Sequence, residues 1–294
     1  MNTLSELLEM RLRAACITPS SADNLCMSAA CEHLAAGGSR VRANICVDAS
    51  IRLGVVQCDA IRVAAVCELL HNASLVQDDL LDRTTLRRGA SSVWVKYGDT
   101  IAVCTGDLML SAAYGMLCDL SMPTMLAAAL RLVHQRVSEV IVGQSAESVG
   151  QQASGEATTA LYERLARAKS ASLLSLSLEL PLILSNNERF LAEAHELASD
   201  FAVAYQIADD LADVMQDTQE GSLNLLLSLI ERDGLTRPAA YARAMELAAK
   251  HLESARGRAR LLPNDCAATL LFYVEELRQK LTEPAPKAFA IAGA

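Results

Sequence analysis

Apolar residues recur at helical spacing along almost the whole chain, and residues that would interrupt such a pattern are scarce. Seven Pro and fourteen Gly leave few turns, and 4% aromatic residues leave little of the bulky, alternating material that strands use. An all-α fold is expected, built as one helical domain over residues 1–283 with a loose tail at 284–294. Helices are expected over 2–16, 22–35, 40–53, 57–81, 92–119, 122–150, 155–168, 170–184, 187–216, 222–231, 236–260 and 264–281. Gly37-Gly38 is suited to a left-handed cap, Asp233-Gly234 to a turn, and either residue of Asn186-Asn187 to capping the next helix.

Several classes of function are excluded by the same inventory. A net charge of −9 argues against nucleic-acid binding, and the short basic run Arg256, Arg258, Arg260 reads as a solvated helix end. Nine Cys without a CxxC, and few dispersed His, give neither a disulfide framework nor a zinc pattern, so reduced thiols in a cytoplasmic protein are expected. The N-terminus lacks a basic segment followed by an apolar core, so no signal peptide is expected. The longest apolar stretch, Leu108 to Val133, is broken by Asp119, Pro123 and Arg131, which suits a buried helical hairpin better than a transmembrane segment.

Two acidic runs carry the chemistry. The first is Asp78-Asp79-Leu80-Leu81-Asp82, followed by Arg87-Arg88-Gly89; the second is Asp209-Asp210-Leu211-Ala212-Asp213. On a helix, positions i and i+4 share a face, so each DDxxD crowds like charges that destabilise the helix unless a cation compensates. One such run would pass for a solvated acidic face. Two, each set in apolar helix, call for a hard divalent cation with oxygen ligands, and Mg²⁺ with phosphate oxygens in its remaining positions fits that description. His71 would be an ordinary core histidine but for sharing a helical face with Leu75, Asp78 and Asp82.

With these motifs the chain resembles the trans-isoprenyl diphosphate synthases, or polyprenyl synthetases, over roughly residues 30 to 280. Further matches are Gly37-Gly38-Ser39-Arg40-Val41-Arg42 to the family's GGKRxR, Gly106-Asp107 to its GD, Gly143-Gln144 to its GQ, and Lys169-Ser170 to its KT. The resemblance implies an antiparallel bundle around a deep apolar cavity, a homodimer, and about three Mg²⁺ per active site. It assigns Asp78, Asp79, Asp82, Asp209, Asp210 and Asp213 to metal. It gives Arg87, Lys169 and Gln206 to the allylic diphosphate, and Arg42, His71 and Arg88 to isopentenyl diphosphate. The implied reaction is head-to-tail condensation of those two substrates.

The chain also departs from the family. Ser39 replaces the lysine of GGKR, Ser222 replaces another, and the segment after Asp213 is shortened. Small residues Ala73 and Ser74 lie where the family sets the floor of the product pocket, and below them Leu70 and Cys67 raise no aromatic block, so a twenty-carbon product is expected. The competing readings are a farnesyl or longer-chain synthase, a prenyltransferase with another acceptor, a type I terpene cyclase and a non-catalytic partner subunit.

Overall fold

The structure, a computed structural model, describes residues 3–17, 24–148, 157–214, 217–218 and 223–282. The helices are α1 Leu4–Ala15, α2 Leu25–Ala35, α3 Val41–Arg52, α4 Gln57–Leu81, α5 Val93–Tyr97, α6 Asp99–Cys118, α7 Pro123–Ser148, α8 Thr158–Ala166, α9 Ser172–Leu184, α10 Leu191–Ala212, α11 Leu225–Asp233, α12 Arg237–Ala259 and α13 Ala268–Thr282. Two compact units are formed, one of Met1–Ser138, Leu176–Leu191 and Pro263–Cys266, the other of Glu139–Ser175, Ala192–Leu262 and Ala267–Ala294.

The first unit is organised around α4. Burial runs almost all round this helix, through the consecutive Val63, Ala64, Ala65, Val66 and Cys67, so it reads as a core helix rather than an amphipathic one. It packs against α1, α3 and α6. Helix α1 starts with a capping box, in which Glu6 N donates to Thr3 Oγ1 at 3.2 Å and Thr3 N to Glu6 Oε2 at 2.7 Å. Helix α6 is, among the described residues, the one long and apolar enough to cross a membrane. It lies against α4, with Val103 and Cys104 exposed. The buried Arg136 guanidinium forks onto the buried Glu179 carboxylate through Nε and Nη2.

The second unit buries Tyr162, Val203, Ile207, Leu225, Leu229 and Ala244 in one apolar cluster drawn from α8, α10, α11 and α12. Its basic run, at the end of α12, is only partly a solvated helix end: Arg260 is exposed, but the other two arginines are paired. Arg258 reaches inward to Asp200 and Glu193, and Arg256 pairs with Glu253 and Glu275. A buried carboxylate at Asp200 needs donors, and Arg258 is one of those that satisfy it.

The helices fall largely where periodicity puts them, and the differences have local causes. The helix expected over 92–119 divides at Gly98, whose φ of +84° is open to glycine at no steric cost. The break expected near residue 169 is instead a π-wound turn, Arg167–Ala171, that joins α8 to α9. Asn187 caps no helix with its side chain; its amide donates back to Ser185 O and Oγ, both at 3.0 Å. Gly37 takes the left-handed conformation expected of it, and Gly234, at the expected turn, has φ of +67°. A two-residue hairpin, Leu86–Arg87 with Ala90–Ser91, is an addition that helical periodicity could not reveal. The tail at 284–294 and Ser222 lie outside the described residues.

Removing one partner of a buried ion pair strands the other charge, at a cost of about 3–5 kcal/mol. Glu179→Ala is expected to lose stability on that scale in urea unfolding, and the double change Arg136→Met/Glu179→Leu to recover a large part of it.

Candidate active site

The first acidic motif ends α4. Asp82 is its C-cap, so all three carboxylates sit at the negative end of the helix dipole, where anions are disfavoured. Asp79 is buried and accepts from Arg87 Nε at 2.9 Å and from Arg87 Nη2, while its Oδ2 has no hydrogen-bond partner. Asp78 is half-buried and Asp82 exposed. Arg87 reaches Asp79 because the chain reverses in the short hairpin, whose turn residues Arg88 and Gly89 have φ of +54° and +77°. Positive φ at both centres is the turn that matches strand twist, and it holds a non-glycine residue in a costly conformation.

A cationic cluster forms beside this motif in the same unit. Arg88 Nη1 donates to Gly37 O and, at 3.3 Å, to Asn72 Oδ1. A Cβ on Gly38 would lie 2.8 Å from the Arg88 guanidinium carbon, so the second glycine of Gly37-Gly38 makes room for an arginine. Asn72 is held in turn by its donation to Glu68 O at 2.7 Å and accepts from His33 Nε2 at 3.2 Å. Glu68 accepts from Ala43 N at 3.1 Å and faces Arg40, which also forks onto Glu9. His71 lies among Arg42, Arg88, His33 and Arg87; burial first and then the arginines hold it neutral, its pKa far below the usual histidine range. Burial and Arg88 likewise push His33 down to about 4. The predicted residues Arg42, His71, Arg87 and Arg88 are thus gathered along the C-terminal half of α4, on a layer of Glu68, Asn72 and His33 that sequence reasoning missed. The signal for it was present, since Glu68 and Asn72 are polar residues one turn apart in an otherwise apolar stretch.

The pocket-floor candidates lie on the same helix: Ala73 is buried, and Ser74 is half-buried with its hydroxyl donating to His71 O at 2.9 Å. Ser39 is exposed.

The second motif ends α10 in the other unit. Asp210 is buried, accepting from Gln206 Nε2 at 2.9 Å and from Leu225 N at 2.8 Å, so it stitches the start of α11 onto α10. Burial outweighs these donors and raises its pKa to about 6. Asp209 is at the surface. Its pKa is raised by loss of water around it and by the adjoining Asp213 and Asp217, against the pull of Lys280. Asp213 is exposed, and Lys169 is exposed on the π-wound turn.

Asp79 and Asp210 thus differ from their motif partners, being turned into ion-pair and hydrogen-bond roles within their own units. Among the described residues no three His, Cys, Asp or Glu side chains are gathered closely enough to hold a metal alone. The orphaned Oδ2 of Asp79 and the mutual repulsion at Asp209 are both features that a nearby cation relieves.

His33 supplies a pH prediction. Its folded pKa is depressed, so the folded chain binds fewer protons than the unfolded one between about 4 and 6.5. Its contribution is complete above the unfolded value and is lost as pH falls toward 4, on the order of 3 kcal/mol in all. His33→Gln is expected to flatten that acid-side decline in denaturant midpoint; an unchanged slope would deny His33 this role.

Comparison with known proteins gives this arrangement its context. A (2E,6E)-farnesyl diphosphate synthase of Mycobacterium tuberculosis is 35% identical over 177 residues, 59% of this chain and 48% of the relative's own length. The chain therefore spans about half the length of the first curated relatives it matches. Among solved structures, a geranylgeranyl pyrophosphate synthetase from the archaeon Geoglobus acetivorans superposes with a TM-score of 0.81 at 22% identity, over 95% of this chain and 98% of that one. A polyprenyl synthase from Caulobacter crescentus, complexed with calcium and isoprenyl diphosphate, superposes with a TM-score of 0.74 at 21% identity, over 96% and 94% of the two chains. These likenesses fix the all-α fold as that of the isoprenoid synthase structures. The polyprenyl synthetase family model matches residues 24–229, and the chain belongs to that family.

Proposed function

We propose that this protein is a Mg²⁺-dependent prenyltransferase that elongates an allylic diphosphate by head-to-tail condensation with isopentenyl diphosphate. The observation that carries the reading is the gathering of Arg42, His71, Arg87 and Arg88 along the half of α4 that runs to the first acidic motif, since that stretch then offers both donors for a diphosphate and oxygen ligands for its metal.

Asp78, Asp82 and the Oδ2 of Asp79 would hold metal at the end of α4, and Asp209 and Asp213 at the end of α10, with the Oδ1 of Asp79 keeping Arg87 in place and Asp210 keeping α11 in place. When bound, Mg²⁺ would supply Lewis-acid stabilisation of the departing diphosphate. Arg87, Lys169 and Gln206 would orient the allylic diphosphate, so that positive groups face the charge that grows as its C–O bond breaks. Arg42, neutral His71 and Arg88 would hold the diphosphate of isopentenyl diphosphate with its double bond aimed at the allylic carbon, which is mainly a problem of positioning. Loss of a proton then restores a double bond in the lengthened product. Calcium and isoprenyl diphosphate in the Caulobacter relative support diphosphate and divalent-metal binding here.

The growing chain would run along α4 past Ser74 and Ala73 toward Leu70, and the small side chains at 73 and 74 favour a twenty-carbon product. The reading also takes the protein as a cytoplasmic homodimer. Nine free cysteines accord with a reducing compartment, and the exposed Val103 of α6 accords with a partner helix.

Purified protein supplied with Mg²⁺, dimethylallyl or farnesyl diphosphate and labelled isopentenyl diphosphate is expected to release a longer prenyl diphosphate. Asp78→Ala and Asp209→Ala are each expected to lower turnover at least about 100-fold. Cyclised hydrocarbon from one substrate, or allylic consumption without elongation, would replace the reading with a cyclase or a different acceptor. Ala73→Phe or Ser74→Phe is expected to shorten the product by one five-carbon unit or more on chromatography, and unchanged length would remove both from the pocket floor.

A further inference from the structure

The second unit contains a polar core that the proposed reaction does not use. Asp200, on α10, is buried and collects four donors. Arg167 Nη2 at 3.1 Å and His251 Nδ1 at 2.8 Å meet Oδ1; Ser254 Oγ at 2.6 Å and Arg258 Nε at 3.2 Å meet Oδ2. His251 is itself buried and spans to Glu163 Oε1 at 2.9 Å, and Arg167 adds Glu196 Oε2 at 3.2 Å. Burial alone would raise the Asp200 pKa, but these donors hold it below the ordinary carboxylate value. A carboxylate so fully satisfied is a rigid anchor, and the segment it grips through Arg167 is the π-wound turn.

That turn is fixed from other sides as well. Gly143 of α7 lies against Ala168, where an added Cβ would stand 2.8 Å from the alanine methyl carbon. Ser172, just past the turn, donates to Glu139 Oε2 at 2.8 Å. Lys169 stands two residues beyond Arg167, roughly 200° round at α-helical pitch and less in π winding, so it leaves from the far side of the segment. Gripping Arg167 therefore sets the direction in which Lys169 projects.

We propose that Asp200, acting through Arg167, is a positioning residue for Lys169, holding the π-wound turn in the rotation from which the ammonium meets the allylic diphosphate. This rests on the reading that Lys169 binds that diphosphate. The π winding is what makes the anchor matter: it is a rare single-turn departure within an otherwise α-helical run, and the side chains it carries point where its rotation sets them, so a fixed point at Arg167 fixes Lys169 as well. Gly143 and Arg167 thus act together, one by lacking a side chain and the other by reaching a buried carboxylate.

The test is steady-state kinetics in both substrates, with thermal melting, on Arg167→Gln, Asp200→Asn, Ser254→Ala, Lys169→Ala and the double variant Arg167→Gln/Lys169→Ala. Arg167 is about one-third exposed, so its variant keeps the test sound even where Asp200→Asn folds poorly. Arg167→Gln is expected to raise KM for the allylic diphosphate about tenfold with KM for isopentenyl diphosphate unchanged, and to add almost nothing once Lys169 is alanine. Ser254→Ala, which weakens the anchor without releasing Arg167, is expected to lower Tm and leave both KM values alone. A full Arg167→Gln effect persisting in the Lys169→Ala background would overturn the proposal, as would an unchanged KM in Arg167→Gln where Lys169→Ala raises it. An unchanged KM in Lys169→Ala itself removes the reading of that lysine and the proposal with it.

Discussion

Both acidic motifs stand at helix C-termini, at the negative end of the helix dipole. Nothing in helix energetics favours three carboxylates there. Each unit answers with different chemistry: at the end of α4 an arginine doubles back through a hairpin to neutralise Asp79, while at the end of α10 a buried Asp210 accepts from Gln206 and from the first backbone amide of α11. Much of the local architecture derives from this one electrostatic problem. The hairpin delivers arginines to the cluster, the glycine pair clears room for one of them, and the Glu68–Asn72 layer locks that one from below.

The electrostatics also divide labour within each motif. The middle carboxylates turn inward, and the flanking ones stay at or near the surface. Periodicity cannot separate these roles, because i and i+1 differ by only about 100° and both fall within a broad polar arc. What separates them is the partner that each meets in the fold. For Asp79 that partner is eight residues along the chain, and for Asp210 it is the start of the next helix.

Legibility tracked the range of the interactions. Helix α4 was readable to its last residue because its apolar pattern is continuous and a charge run ends it. The break at Gly98 was missed because one glycine inside a helical pattern is compatible with either outcome, and only its left-handed backbone decides. The hairpin at 86–91 is too short to show alternation. The acidic motifs, Arg42, His71 and the Arg87-Arg88 pair stood out by residue type and spacing. Their supports His33, Glu68 and Asn72 did not, since each looks like an isolated polar intruder until tertiary contacts make it the floor of a cluster. The inward role of Arg258 was hidden for the same reason, its acceptor lying on another helix.

Arg88 sits at a left-handed turn, over a glycine without a side chain, with its guanidinium tied to a backbone carbonyl and an amide oxygen. A long cationic side chain ordinarily gives up considerable rotamer freedom when an anion captures it. Here that freedom is already surrendered when the chain folds. An anion arriving at this arginine would meet a preorganised donor, with the entropic cost of ordering the side chain already borne by folding.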